Sequence, residues 1–542
     1  MLFNSLEFLI FLPITFLLFW LVPHKFRFLP LLAASYYFYM YWNPRLVFLI
    51  LFTTLVSYLC GILLEKARGK AAIQKLIVAI TLIACLGTLL FFKYFNFLYD
   101  AFYDLVGIFG GKEAPGFFTI MLPVGISFYT FQTASYVIDV WRGTVPAEKN
   151  LGYFALFVTF FPQLVAGPIE RPGDLLPQLK AKRYFKNIDW SGAFRYMLLG
   201  FFKKIAIADA VGVLVNSVYE NPETANGPAA LLATFLFALQ IFCDFSGYSD
   251  IAVGCAKLFG VNLTENFKAP YSATSIKEFW NRWHLSLSCW LRDYIYFSLG
   301  GSRVGVVRRY FNVFVVFFVS GLWHGASYNF VIWGILHAFF QIVGALTIKH
   351  RNAFWQKLGK TPDSRLVKTL RRVGVFLLVC FAWIFFRANT LSDAFTIIAK
   401  IFTDWSGIGE TLSLLSLTLP IFSSLLVIFP ILPFLLVGFA WIFFRANTLS
   451  DAFTIMAKIF TDWSGMGETL SLLSLTLPIF CYLLVVFAIL PFMERIKYTD
   501  HAKPLGEKSR FLLYAIMTWC IVGVWVYLQA ANVGSSFIYF QF

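Results

Sequence analysis

Long apolar runs separated by short charged stretches dominate the pattern of this chain. Runs approaching the ~20 residues that cross a bilayer recur at 5–22, 29–41, 46–64, 76–99, 117–138, 151–166, 196–217, 229–243, 311–323, 328–347, 370–386, 411–444, 472–492 and 511–532. Several are short or interrupted by polar residues, so the pattern predicts about 11 to 13 membrane segments. The expected fold class is all-α and polytopic. Segment 5–22 lacks a basic leader and a small-residue cleavage site, so it reads as a retained span rather than a signal peptide.

Composition agrees with the pattern. Of 542 residues, 59% are hydrophobic and 13% charged, against roughly 25% charged in soluble chains. The net charge of +16 does not point to nucleic acid. The basic residues gather in loops at 65–75, 170–187, 268–310 and 349–372, as the excess of Lys and Arg on the cytoplasmic side of membrane proteins predicts. The reading places 268–310 and 349–372 in the cytoplasm. The eight cysteines form no CxxC pair or Cys/His ligand spacing, so neither a disulfide framework nor a metal site is expected. No GxGxxG, Walker loop, HExxH or GxSxG motif occurs.

Residues 376–433 recur almost unchanged as 434–491, each copy carrying FAWIFFRANTLSDAF, IFTDWSG and LSLLSLTLPIF. Solenoid repeats diverge and need three or more copies, so this is read as a recent tandem duplication or an error of sequence assembly, with no architectural role of its own. The chain divides into a membrane core (1–375), copy one (376–433), copy two (434–491) and a final loop and span (492–542). The run 411–444 contains Pro420, Pro430 and Pro433; it reads either as one tilted helix or as two short crossings broken at proline.

Polar groups at membrane depth are costly and therefore informative. The stretch Cys243–Asp250 sets Asp244, Tyr248 and Asp250 inside apolar sequence, either as an interhelical hydrogen-bond cluster or as the lining of a cavity. Residues 275–291 read as one amphipathic helix: Ile276, Phe279, Trp280, Trp283, Leu287 and Leu291 share a face, and Asn281 and Arg282 lie away from it. His284 falls at the margin of that face, where it either ties the helix to a carbonyl or takes part in chemistry. In the third stretch, 312–335, Trp323 and His324 sit in WHGA after an apolar run from Phe311. That run makes about 20 Å of helix, short of a ~30 Å hydrocarbon core, which leaves His324 inside the membrane. Segment 311–348 suits two crossings of about 19 residues, with a turn near Ser327–Asn329. A neutral histidine removes a hydroxyl proton efficiently as the oxygen attacks an acyl carbonyl. Direct transfer is the simpler course; an acyl-histidine intermediate is the alternative.

These stretches resemble the membrane-bound O-acyltransferase (MBOAT) family, in its bacterial alginate and peptidoglycan O-acetylation branch. The resemblance rests on LPVGISFYTFQTASYVIDVWRG (122–143), FFPQLVAGPIERPGDLLPQL (160–179), CDFSGYSDIA (243–252), NFKAPYSATSIKEFWNRWHLSLSCWLRDYIYFSLGGSR (266–303), GLWHGASYNFVIWGILHA (321–338) and FFRA (385–388). It implies a multi-helix bundle with a mid-membrane tunnel, His324 as the essential catalytic residue and His284 as a second tunnel histidine. Asp244, Tyr248, Asp250, Asn281, Arg282 and Trp323 are the substrate-binding candidates. It also implies a multi-pass protein of the cell inner membrane with no bound cofactor or metal. The acetyl donor would be cytoplasmic acetyl-CoA. A periplasmic or cell-wall acetyltransferase partner would pass acetyl to a surface glycan, in contact with membrane lipid and without nucleic acid. The alternatives are D-alanyl transfer to teichoic acid, lipid acylation, or a polymer transporter; the last should show symmetry between halves of the chain.

Overall fold

The computed structural model describes residues 1–108, 120, 122–165 and 167–406, with eight positions between 514 and 525. The second repeat copy, the expected segments 411–444 and 472–492 and most of 511–532 lie outside the described residues, as does the question of how the duplication crosses the membrane.

Among the described residues every regular element is helical. The chain opens with α1 (Leu6–Leu21), α2 (Phe28–Met40), α3 (Val47–Lys66) and α4 (Ala71–Ile108). Ser5 starts α1 by accepting the Phe8 amide, a side-chain cap for an otherwise orphaned donor. Leu9, Ile14 and Leu17 on α1, Phe48 and Leu59 on α3, and Leu76 and Ile83 on α4 are exposed. Water would not tolerate apolar surface on this scale, whereas hydrocarbon does. Among the described residues, six helical segments are long and apolar enough to cross a membrane: Pro44–Lys66, Ala71–Tyr103, Gly227–Leu258, Val306–His324, Tyr328–Lys357 and Arg365–Arg387. The chain is a multi-pass, all-α membrane protein.

Shorter helices follow: α5 (Ile126–Arg142), α6 (Leu151–Thr159), α7 (Phe161–Leu164), α8 (Pro172–Lys180), α9 (Trp190–Phe201) and α10 (Ala210–Tyr219). The expected segment 151–166 is not one rod. Phe160 leaves helical geometry at ψ 107°, and Pro162 opens α7, where its missing N–H costs nothing. The expected segment 196–217 is interrupted by a π-helical stretch, Phe202–Asp209, between α9 and α10. Such wide turns re-aim side chains, and here they deliver Lys203 and Lys204 into the core.

The long central helix α11 (Gly227–Leu258) is buried along nearly its whole length. It packs tightly on α9 because small residues meet there: a Cβ on Gly247 would stand 2.8 Å from the Gly200 carbonyl oxygen. Close backbone approach of this kind is how membrane helices gain packing without a hydrophobic driving force. Lys203 pairs with Asp250 at 2.6 Å, and Lys204 with both Asp244 and Asp209 at 2.7 Å. The stretch 243–250 is therefore a buried ion-pair seam between α11 and the π-helical turn.

The remaining α-helices among the described residues are α12 (Ile276–Trp280), α13 (Leu285–Leu291), α14 (Val306–His324), α15 (Tyr328–Lys357), α16 (Arg365–Arg387) and α17 (Leu391–Thr403). Helices α14 and α15 form a tight antiparallel hairpin. Gly321 and Gly334 meet at their crossing, where an added Cβ would run into the carbonyl oxygens of Phe330 and Phe317 respectively.

Candidate active site

The hairpin turn presents His324. It is the last residue of α14; Gly325 turns the chain in extended geometry, and Ser327 caps α15 by accepting the Asn329 amide. Two distant elements hold the turn. From α4, Lys93 donates to the carbonyls of Trp323 and His324, the latter at 3.1 Å, and the Tyr94 hydroxyl donates to the Leu322 carbonyl. These are terminal carbonyls of a helix, orphaned unless something supplies donors, and a cation suits the negative end of the helix dipole. On the other side, Asn329 donates to the Ala388 carbonyl at the end of α16, at 2.7 Å.

Around His324 the walls are aromatic. Its ring lies edge-on to Trp323 at 4.9 Å, Trp333 at 4.8 Å and Phe386 at 5.1 Å. Trp323 also faces His284, 5.8 Å between centroids, so one indole touches both predicted histidines. His284 packs edge-on against Phe245 of α11 at 4.6 Å and is 1% exposed. Neither of its ring nitrogens has a hydrogen-bond partner among the described residues. The imidazole therefore does not tie a helix to a carbonyl, one of the two roles expected for it.

The single amphipathic helix expected over 275–291 is corrected. Helix α12 ends at Trp280, and His284 takes a left-handed backbone with φ 44°. A non-glycine residue pays steric strain there. The surrounding bonds show what holds it: Leu285 N donates to the Asn266 carbonyl at 2.9 Å, and Ser286 N to the Asn266 side chain at 3.2 Å. The Ser286 hydroxyl in turn accepts from the Ile169 amide at 3.0 Å. Beside Ile169, Glu170 accepts from the Thr264 amide at 2.6 Å, and burial pushes its carboxyl up to about 7. Strain at a buried histidine, enforced by several chain segments, is the mark of a positioned group.

The other candidates lie in two further places. Asp244 and Asp250 are in the ion-pair seam, and Tyr248 is buried nearby, stacked on Phe3 at 4.3 Å. Asn281 is exposed. Arg282 bonds Glu278 at 2.8 Å, Ser272 at 3.2 Å and the Lys268 carbonyl at 3.3 Å. It braces the loop before α12, and its half-exposed side chain is spent on that loop. Lys93 and His337 were not among the candidates. An ionisable side chain late in the apolar run 76–99 was the available signal for Lys93.

A strained histidine and a helix-end histidine share one buried aromatic wall inside a multi-pass, all-helical membrane protein. Comparison with known proteins names the family. Residues 148–386 match MBOAT, the membrane-bound O-acyltransferase family, and the chain belongs to it; it is an O-acyltransferase. The chain is 40% identical to the Pseudomonas aeruginosa protein named probable alginate O-acetylase AlgI, over 74% of this chain and 75% of that one. It is 32% identical to the peptidoglycan O-acetyltransferase of Helicobacter pylori, over 73% and 79%. It is 30% identical to the teichoic acid D-alanyltransferase of Bacillus subtilis, over 49% and 69%.

Proposed function

We propose that this chain transfers acetyl groups from cytoplasmic acetyl-CoA toward hydroxyls of a cell-surface polysaccharide, from the cell inner membrane and with a periplasmic or cell-wall acetyltransferase as partner. The observation that carries the reading is His324 on the α14–α15 turn, walled by Trp323, Trp333 and Phe386, in a chain similar along about three quarters of its length to proteins named as alginate and peptidoglycan O-acetylating enzymes. His324 acts as the base toward the acceptor hydroxyl, and His284 packs on the same indole, Trp323. The basic loops 268–310 and 349–372 lie in the cytoplasm, and the hairpin between them carries His324 toward the outer half of the bilayer.

Deleting the gene is expected to remove ester-linked acetyl from the surface glycan, and the plasmid-borne chain to restore it; acetyl released by mild alkali is the readout. Unchanged acetyl with lost alkali-labile D-alanine would move the chain to the teichoic acid class.

The same assay tests the domain reading. A chain lacking residues 434–491 keeps one copy of every motif and is expected to restore acetylation to within about twofold, in keeping with changes away from a site being small. A stable but inactive deletion would give the second copy a role of its own.

A further inference from the structure

A third histidine stands in the same aromatic box. His337 lies on α15 one helical turn after Trp333, so the two side chains share a face. It is wholly buried, and its ring packs edge-on to Trp333 at 4.9 Å, the indole that His324 meets from its own side at 4.8 Å. Trp280, at the end of α12, aims its indole N–H at His337 Nδ1, 3.3 Å away. An indole nitrogen only donates, so Nδ1 is the acceptor and the proton of the neutral ring is on Nε2. That N–H has no acceptor among the described residues. Nearby, the indole N–H groups of Trp323 and Trp333 and both nitrogens of His284 are likewise buried without partners. A buried donor left unmade costs about 1–3 kcal/mol, and a cluster of them around an apolar wall is what a site prepared for a polar ligand atom looks like.

We propose that His337 is a further catalytic residue of the acyl-transfer reaction: a neutral imidazole, fixed in its Nε2–H tautomer by Trp280, that donates to the acyl carbonyl oxygen as charge develops on it. The inference rests on the acyl-transfer reading of this site. As the acceptor hydroxyl attacks the carbonyl carbon, His324 takes the hydroxyl proton, the new C–O bond forms, and the carbonyl electron pair moves onto oxygen. His337 Nε2–H meets that oxyanion. Collapse restores the carbonyl, breaks the bond to the donor's sulfur, and His324 returns the proton to the departing thiolate. A donor already oriented in a dry site stabilises such charge without reorganisation.

The test compares three full-length variants, expressed at wild-type level, in labelled-acetate incorporation into surface glycan by cells and in acetyl-CoA kinetics of isolated membranes. His337→Phe keeps the ring and removes the donor; kcat is expected to fall about 100-fold, the usual loss for one oxyanion donor, with KM changed by less than about threefold. His337→Gln restores an N–H and is expected to recover at least about a tenth of wild-type kcat. Trp280→Phe keeps an aromatic ring but removes the N–H that sets the tautomer and is expected to lower kcat about tenfold. Undiminished kcat in His337→Phe, or a Gln variant no better than Phe, reduces His337 to packing and overturns the proposal. Full activity in His324→Ala would instead sink the reading of the whole site; an inactive His324→Ala beside a fully active His337→Phe sinks this inference alone.

Discussion

Cells carrying His324→Ala in place of the wild-type chain are expected to lose surface-glycan acetylation, by about a thousandfold or more, while the protein inserts and accumulates normally. General-base catalysis contributes roughly 10²–10⁴-fold, and His324 is the histidine at the tip of the hairpin. The backbone there is held from outside the residue itself, by Lys93 and Tyr94 on one flank and the Asn329–Ala388 bond on the other. Shortening the side chain therefore leaves the turn in place, and the loss falls on chemistry. Ester-linked acetyl measured in cells with matched immunoblot levels is the check; acetylation near the wild-type value would remove His324 from the mechanism. His284→Ala is expected to lower the rate by a smaller factor, because it touches the wall at Trp323 but not the turn.

The second large effect is on folding rather than chemistry. Lys204→Met should fail to accumulate, or melt far below wild type in detergent. Lys204 lies 2.7 Å from both Asp209 and Asp244, and all three side chains are less than a tenth exposed. Removing that cation takes one partner from two buried carboxylates, and breaking such a pair typically costs 3–5 kcal/mol. Adding Asp209→Asn and Asp244→Asn to Lys204→Met removes the uncompensated charge and is expected to restore most of the melting temperature. A single Lys204→Met variant that melts with wild type would show that the seam carries no net stability. Because Phe245, next to Asp244, packs on His284 at 4.6 Å, the rescued triple variant also reports whether the seam steadies the site.

Some of this was readable along the chain because its cause is local. Whether a stretch enters a bilayer depends on its own apolar length, so the membrane class and the long segments at 46–64, 76–99, 328–347 and 370–386 follow from composition in a window. The hairpin that carries His324 was readable too: the apolar run ends at Trp323, and Gly325 and Ser327 are residues of a turn and a cap. The ionisable residues at membrane depth announced themselves by their cost.

What they pair with did not. Asp244 and Asp250 looked equally like a substrate cavity and a structural cluster, and the choice was made by Lys203 and Lys204, 40 and 47 residues away, turned inward by a π-helical stretch. Residues 275–291 carry a clean helical period, yet the chain breaks at His284, because Asn266, held in a different segment, takes the amides of Leu285 and Ser286. Lys93 reaches the end of α14 across 231 residues, and Trp280 reaches His337 across 57. Hydrophobic period and capping are short-range properties, summed over a few turns of one helix. The partner of a buried charge, the tautomer of an imidazole and a left-handed φ are settled by whichever distant group the packed bundle brings within about 3 Å, and only the tertiary structure makes that selection.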